Sequence, residues 1–578
     1  MDKKFFIAIL LSILIIIVYS SPQYQKHFGK SVPVELETST QAQTSDEKAP
    51  AKRTLSKPAP AISTKSSILA NTEQPEATVE TQSTENYQIN IPDSRDDVTI
   101  ENDVVRIILS PEGGTIKHVF FNEYNGSEDN TPAQIVNDEN VWYDGTVTDG
   151  DFELPLTALV FSVRKHSDSK AVLSAELNDG RTITREFALN ESAGFLLNAK
   201  TDLDGPWDSP TLSFAWHGAI NDTEIPYKAL RIWPFSMMMR DDRMIYQKMV
   251  YLGEGVRSSV VNGKSKNGEK RVFLGDHAQK IDAKKEGSGE DMFSGDLQWY
   301  AVRNKYFISI VIPHETARWD AQSYYQYSAG EKNFEFAVSK KLTDGSTDMD
   351  IYVGPMSYGI LKSYNRSLTE SMELSFRFIR PLSIFFLKII KILYRFVPNW
   401  GLVIILFALM IKMVLYPLTK NMHTSMKKMS SLQPQIAELK EKNKNNPQQV
   451  QKETMELYKR EGVNPFGGCL PMLLQMPVFF ALYPVVGRAF ELRQAMFIPY
   501  WIEDLSRPDP YFILPVAFGI SMFFQSKQTM KDPNQKAMLY IMPFMMVILF
   551  ANFSAGLTLY WFLFNVMTSL QQKFQKTI

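Results

Sequence analysis

Two patterns of apolar and polar positions divide the chain. From about residue 86 to 368, short runs alternate at every second position and stop at turn residues: VTIENDVVRIILS before PEGG, TIKHVFF before NEYNG, KAVLSAEL before NDG, then TITREFAL, KNFEFAVS and DMDIYVG. A period of two sends successive side chains to opposite faces of a sheet, so this spacing predicts an all-β antiparallel sandwich or barrel-like domain. Beyond residue 400 the pattern becomes five long apolar runs, Leu402–Leu418, Cys469–Val486, Tyr511–Gln525, Ala537–Phe553 and Leu557–Leu570. These predict membrane-spanning helices; several are short and four contain proline, which lipid-embedded helices tolerate better than soluble ones.

The flanking segments have patterns of their own. MDKKFFIAILLSILIIIVYSSPQ sets Lys3 and Lys4 before an apolar run, an export signal read as an uncleaved anchor over residues 1–22, with a cleaved signal peptide as the alternative. Residues 23–85 are rich in Ser, Thr, Pro, Gln, Lys and Glu and nearly lack aromatics, as a flexible tether would. In LTESMELSFRFIR, Leu368, Met372, Leu374, Phe376 and Phe378 stand among charged groups, and LSIFFLKIIKILYRFV carries Lys388, Lys391 and Arg395, so residues 369–400 read as interfacial amphipathic helices. Within residues 419–465, Met422, Met426, Met429, Ile436 and Leu439 recur at helical steps before NKNNP, and Val450, Thr454, Leu457 and Tyr458 follow it. This predicts a helical hairpin, either an inert linker or a contact surface offered by Met422, Met426, Met429, Lys427 and Lys428.

Charge adds orientation. The chain has 62 Lys and Arg against 63 Asp and Glu, a balance that excludes no class by itself. Nine basic residues between the first two runs place that loop in the cytoplasm, Lys527, Lys531 and Lys536 do the same for a later loop, and Lys573 and Lys576 hold the C-terminus inside. With the anchor, six spans close consistently, both termini are cytoplasmic, and the β domain lies outside. The single Cys469 forms no intrachain bridge, and no histidine sits in an HExxH pattern. Lys264 in NGKS has Ser258 where a phosphate loop needs glycine. Trp207, Trp216, Trp233, Trp299 and Trp319 read as core, with a sugar-binding cleft as the alternative.

Within the five runs, Lys412 is the one charged residue, and Asp, Glu, Arg and His are absent. Ion-coupled transport needs titratable groups along its path and intramembrane proteolysis needs a nucleophile or metal ligands, so both are disfavoured, and neither a cofactor nor a metal is expected. Gln475, Asn552, Asn565, Ser521, Thr558 and Thr568 complete the polar inventory, and Lys412, Gln475 and Asn565 are expected to share one wet, inward surface. Lys412 lies six residues before Leu418, roughly 9 Å from the cytoplasmic end of its helix. Placing an ammonium there costs about 2.5–3.5 kcal/mol, and snorkelling to the inner headgroups is the alternative.

GVNPFGGCLPMLLQMPVFFALYPVVGRAFELRQAMF (462–497), YPLTKNMHTSMKKMSSLQPQI (416–436), DLSRPDPYFILP (504–515) and SAGLTLYWFLFN (554–565) resemble the signature of the YidC family of membrane protein insertases, over residues 369–572. The resemblance implies a polytopic helical core around a hydrophilic groove open to cytoplasm and lipid, plus a periplasmic β-supersandwich, in the bacterial inner membrane. It also implies nascent membrane proteins as substrates, handed over by ribosome–nascent chain complexes, and the Sec translocon, the signal recognition particle and its receptor as partners. Lys412 falls on the family's groove cation, where most members carry arginine, and Ala408 replaces a frequent threonine. Trp561, beside Tyr560, maps to the substrate-contacting aromatic; a place in an interfacial aromatic belt is the alternative. A small-solute transporter with a periplasmic binding domain and a tethered sugar-binding protein are the rival readings.

Overall fold

The computed structural model describes residues 87–575, apart from 90, 93, 127–130, 137–139, 191–193, 219, 222, 224–247, 262–263, 266–270, 274–277, 282–286, 316–317, 329–330, 365, 444–445, 463–469 and 530–535. The anchor, the tether, Cys469, Trp233 and His277 therefore lie outside the described residues.

Alternation becomes sheet. Twenty antiparallel strands between Val98 and Pro355 join into one hydrogen-bonded network. Strand Thr182–Leu189 shows the cause, since every second residue is buried along its whole length. The network forks at the long strand Gly287–Arg303. Residues 287–296 pair with Arg318–Ser328, while 300–303 pair with Phe307–Pro313. The first wing continues through Glu331–Lys341 and Thr211–His217, the second through Ser346–Pro355 and Leu196–Asp204. Trp216 and Phe336 of the first wing and Ile351 and Tyr352 of the second belong to one buried cluster, so the wings face each other as a sandwich. Trp216, Trp299 and Trp319 are core residues; Trp207 is partly exposed and stacks under the Arg181 guanidinium at 4.2 Å.

The core also holds a charge that is bonded to carbonyls and not to a carboxylate. Arg185 is fully buried, and its Nη1 donates to the carbonyls of Gly113, Gly114 and Tyr143 at 2.8, 2.9 and 2.9 Å. Burial pushes its guanidinium below the usual range, while its place 4.9 Å from the Tyr143 ring supplies compensating attraction.

Beyond the sheet the described chain forms nine α-helices: α1 (Tyr358–Ser363), α2 (Arg380–Phe396), α3 (Trp400–Ser431), α4 (Gln433–Lys442), α5 (Pro447–Arg460), α6 (Leu470–Arg488), α7 (Ile513–Thr529), α8 (Lys536–Phe550) and α9 (Ala555–Gln575). Among the described residues, 431–462, with α4 and α5, fall in a compact unit separate from the rest. In it, Asn446 caps α5 through the Gln449 amide, and Asn443 donates to Glu453 at 3.0 Å across the turn. In the other unit, α7 packs on α8 and α9, and α6 packs on α2 and α9.

Each apolar run of the sequence forms a helix, yet among the described residues only Trp400–Pro417 is both long and apolar enough to cross a bilayer by itself, with mean hydropathy 2.1. The six-span count therefore lacks confirmation. The segment after the sheet also differs from its expected place on the membrane surface. Leu368, Met372 and Leu374 are buried in the β-domain core, and α2 is the one α-helix between residues 369 and 399. An apolar residue is hidden equally well by protein or by lipid, so periodicity alone does not separate the two.

Candidate functional site

Lys412 on α3 is 7% exposed. Its ammonium donates to Thr568 Oγ1 on α9 at 2.8 Å and stands 4.7 Å from the Phe564 ring, and the Thr568 hydroxyl in turn donates to Phe564 O at 2.7 Å. The lysine thus has a polar seat on the facing helix. A second rung lies one to two turns further along, where Gln571 Nε2 approaches Thr419 Oγ1 at 3.5 Å.

Helix α9 presents this seam on one face. Trp561, Asn565, Thr568 and Gln572 follow one another at four-, three- and four-residue steps. Asn565 is half-buried on that face, and Gln475 is half-buried on α6. Trp561 meets Phe479 of α6 edge-on at 5.9 Å and Phe550 of α8 at 6.2 Å, so it belongs to an aromatic cluster inside the bundle. Its Nε1 is buried without a protein acceptor. Tyr560, 1% exposed, lies 6.3 Å from Phe407 of α3. Among the proposed hairpin contacts, Lys428 is exposed and Met429 partly so near the end of α3; Met422, Met426 and Lys427 share that helix backbone, but their side chains lie outside the described residues.

At the opposite end the loop between α6 and α7 caps helices of the bundle. Its backbone is held in three left-handed non-glycine positions, Gln494, Tyr500 and Phe512. Asp509, 1% exposed, accepts from Trp501 Nε1 at 2.9 Å and from the amides of Tyr511 and Leu514 at 3.0 and 2.7 Å, which caps α7. The carbonyls of Arg507 and Leu505 receive the first amides of α9, from Ala555 at 2.5 Å and Gly556 at 2.9 Å. From its other side the loop grips the β domain. Arg493 donates to Asn125 O and Thr223 O at 2.6 and 2.9 Å, Phe490 sets its ring against Tyr124 and Phe307, and Ser506 pairs with the Tyr306 hydroxyl at 2.6 Å.

Sequence patterns did not reveal Glu373. Its carboxylate lies 2.8 Å from Lys280, 3.2 Å from Lys248 and 3.4 Å from Arg303, all in the β domain, and 3.1 Å from Arg488 at the end of α6. Burial disfavours its charge, but the four cations outweigh burial and hold the carboxyl far below the usual range. A sequence shows only a glutamate in a charged segment; the partners come from three separate strands and a helix.

Together the two-winged sheet, the helical bundle joined to it through the loop after α6 and the buried Lys412 seat define a protein that pairs a large β domain with a helical core. The chain matches the family described as "YidC periplasmic domain" over residues 97–383 and the one described as "60Kd inner membrane protein" over residues 392–578. It is similar to the membrane protein insertase YidC of Chloroherpeton thalassium, 30% identical over 82% of each chain, and to that of Chlorobium luteolum, 38% identical over 53% of this chain and 57% of the relative. In five such relatives the match spans between 54% and 57% of the relative's own length. Among solved structures, an active YidC insertase with its first transmembrane domain resolved aligns with 84% of this chain and 95% of its own, at 16% identity and a TM-score of 0.36. A putative aldose 1-epimerase from Escherichia coli covers 45% of the chain at 12% identity and a TM-score of 0.29. The chain belongs to the YidC family of membrane protein insertases.

Proposed function

We propose that the protein inserts and helps to fold integral proteins of the bacterial inner membrane. The observation that carries this reading is the seat of Lys412, the one charge within the apolar runs, held by a hydroxyl between two helices of the bundle. A hydrophilic substrate tail that enters from the open end finds an ammonium which exchanges Thr568 for a carboxylate or for water. Burial in a low dielectric strengthens that attraction. The adjoining apolar segment then passes Trp561 and Tyr560 into lipid, driven by partitioning at about 0.8 kcal/mol per methylene, without a nucleotide. Gln475 and Asn565 complete the polar lining in this reading, and Met422, Met426, Met429, Lys427 and Lys428 meet the nascent chain first.

The basic loops support six spans with both termini in the cytoplasm and the β domain in the periplasm. Ribosome–nascent chain complexes, the Sec translocon and the signal recognition particle with its receptor are the partners that accompany this reading. The transporter alternative finds no support among the relatives, which carry the insertase name.

The test is reconstitution of the full chain in liposomes with a small two-span substrate, scored by protease protection. Insertion no better than in protein-free liposomes overturns the reading. Lys412→Arg, Lys412→Gln and Lys412→Glu separate the roles of the ammonium: attraction makes glutamate the worst for acidic tails, whereas hydration alone makes all three alike.

A further inference from the structure

The segment that leaves the sheet, Ser371–Ser375, touches both the β domain and α6. Ser371 O accepts from Arg303 Nη1 at 2.9 Å, Glu373 joins Arg303, Lys248 and Lys280 to Arg488, and Ser375 Oγ donates to Phe480 O at 2.8 Å. Arg488 and Phe480 lie eight residues apart on α6, about 12 Å along its axis, so the segment runs beside that helix as a splint.

The contact at Phe480 has a covalent cause. In a regular helix that carbonyl accepts from the amide four residues later, but residue 484 is Pro484, which has no N–H. Proline thus removes the helical donor of that carbonyl, and the Ser375 hydroxyl donates to it instead. Ser375 is held at φ 134, a left-handed position that a residue with a side chain rarely adopts. Such strain persists only where the surroundings over-determine it, and it is a pointer to function.

We propose that Ser371–Ser375 is a clamp by which the β domain sets the position of α6, with Glu373 and Ser375 as positioning residues for the substrate groove. The inference rests on the insertase reading and deepens it. Helix α6 carries Gln475, and its Phe479 meets Trp561 edge-on, so a shift of α6 moves one wall of the proposed path. Removing the carboxylate leaves Arg488 facing three β-domain cations, which drives the helix end away from the sheet. Removing the hydroxyl takes away the donor that stands in for the missing amide of residue 484.

The experiment uses the full chain with Cys469→Ser and spin labels at Met292→Cys on the β domain and Met496→Cys in the loop after α6, both partly exposed at 48% and 52%. Distance distributions and insertion rates are read together in liposomes. Glu373→Gln broadens the distribution and slows insertion roughly tenfold, and Glu373→Asp largely restores both. Ser375→Ala acts the same way, but not in a Pro484→Ala background, where the substituted residue supplies the missing amide and the serine becomes dispensable. That rescue is specific to the clamp, since a general loss of packing would persist in the double variant. Where Glu373→Gln fails to fold, Arg488→Gln removes the helix side of the clamp and leaves the carboxylate with its β-domain partners.

An unchanged distribution in Glu373→Gln overturns the proposal. So does a broadened one with wild-type insertion, or a Ser375→Ala effect that is undiminished in the Pro484→Ala background. If the unmutated protein inserts nothing, the insertase reading fails instead, and the distance arm still decides whether the clamp exists.

Discussion

Replacing Thr568 by valine keeps the volume of the side chain but takes away the acceptor of the Lys412 ammonium. A buried donor left without its partner costs about 1–3 kcal/mol, and more when it is charged. Thr568→Val is therefore expected to lower the thermal midpoint of the full chain in detergent, whereas Thr568→Ser leaves it nearly unchanged; equal effects would mean that the lysine finds water instead. In the sheet, Gly145 is the sharper single-residue test. A methyl group there would lie 2.2 Å from Arg185 Nη2 and 2.7 Å from a Leu156 methyl, with the arginine already fixed by three carbonyls. Gly145→Ala should destabilise the β domain by about 1–3 kcal/mol in denaturant melts followed by tryptophan fluorescence. Lys412 was legible in the sequence because one charge stands out in an apolar run. Thr568 was visible only as one of several polar residues, since its role depends on a contact between positions 156 residues apart.

Elements follow the sequence where one periodicity dominates. The alternation of TITREFAL and the length of the apolar runs predicted strand and helix without ambiguity, because each buries one face against one kind of surroundings. Helix α2 is harder. Phe386, Leu387 and Ile390 are buried, while Phe385, Ile392 and Phe396 are exposed beside Lys388 and Arg395. One apolar face meets the bundle, and the other fits the headgroup layer, with the basic stems reaching outward. Nitroxides at Phe385 and Phe396 should accordingly be more accessible to oxygen than to a polar nickel chelate, and a nitroxide at Lys388 the reverse; chelate access at all three would place α2 in water. A titration belongs to the strand Thr211–His217. The Asp144 carboxylate hydrogen-bonded to His217 raises its pKa, with burial opposing and Glu335 adding to the attraction. A raised folded value means that the stabilisation is fully present below the unfolded value of about 6.5 and fades as pH climbs through the folded one. The stability gap between the unmutated chain and His217→Gln should thus be larger at pH 6 than at pH 9, and a gap that widens with pH would refute the pairing.

At the scale of the whole molecule, the sequence separates a β half from a helical half and leaves them independent, so the core alone would be expected to retain substantial activity. The join is invisible to pattern because it is built from single polar residues scattered along the chain: Tyr306, Glu373, Arg493 and Ser506 follow no period. The structure gives the halves a shared boundary. The loop after α6 that caps α7 and α9 is also the loop that Arg493, Phe490 and Ser506 fasten to the sheet. Excising residues 86–340 would expose Phe490, strip Glu373 of Lys248, Lys280 and Arg303, and leave the strained turn at Gln494 without the anchor that the adjacent Arg493 makes to the sheet. The excised core is therefore expected to insert a two-span substrate more slowly than the full chain and to pass a small trapped dye that the full chain retains. Arg493→Ala in the full chain should reproduce part of both effects, because it frees the loop while keeping the sheet. A dye-tight excised core with full insertion rate would show that the helical half closes itself, and would reduce the boundary to a tether for whatever the β domain binds.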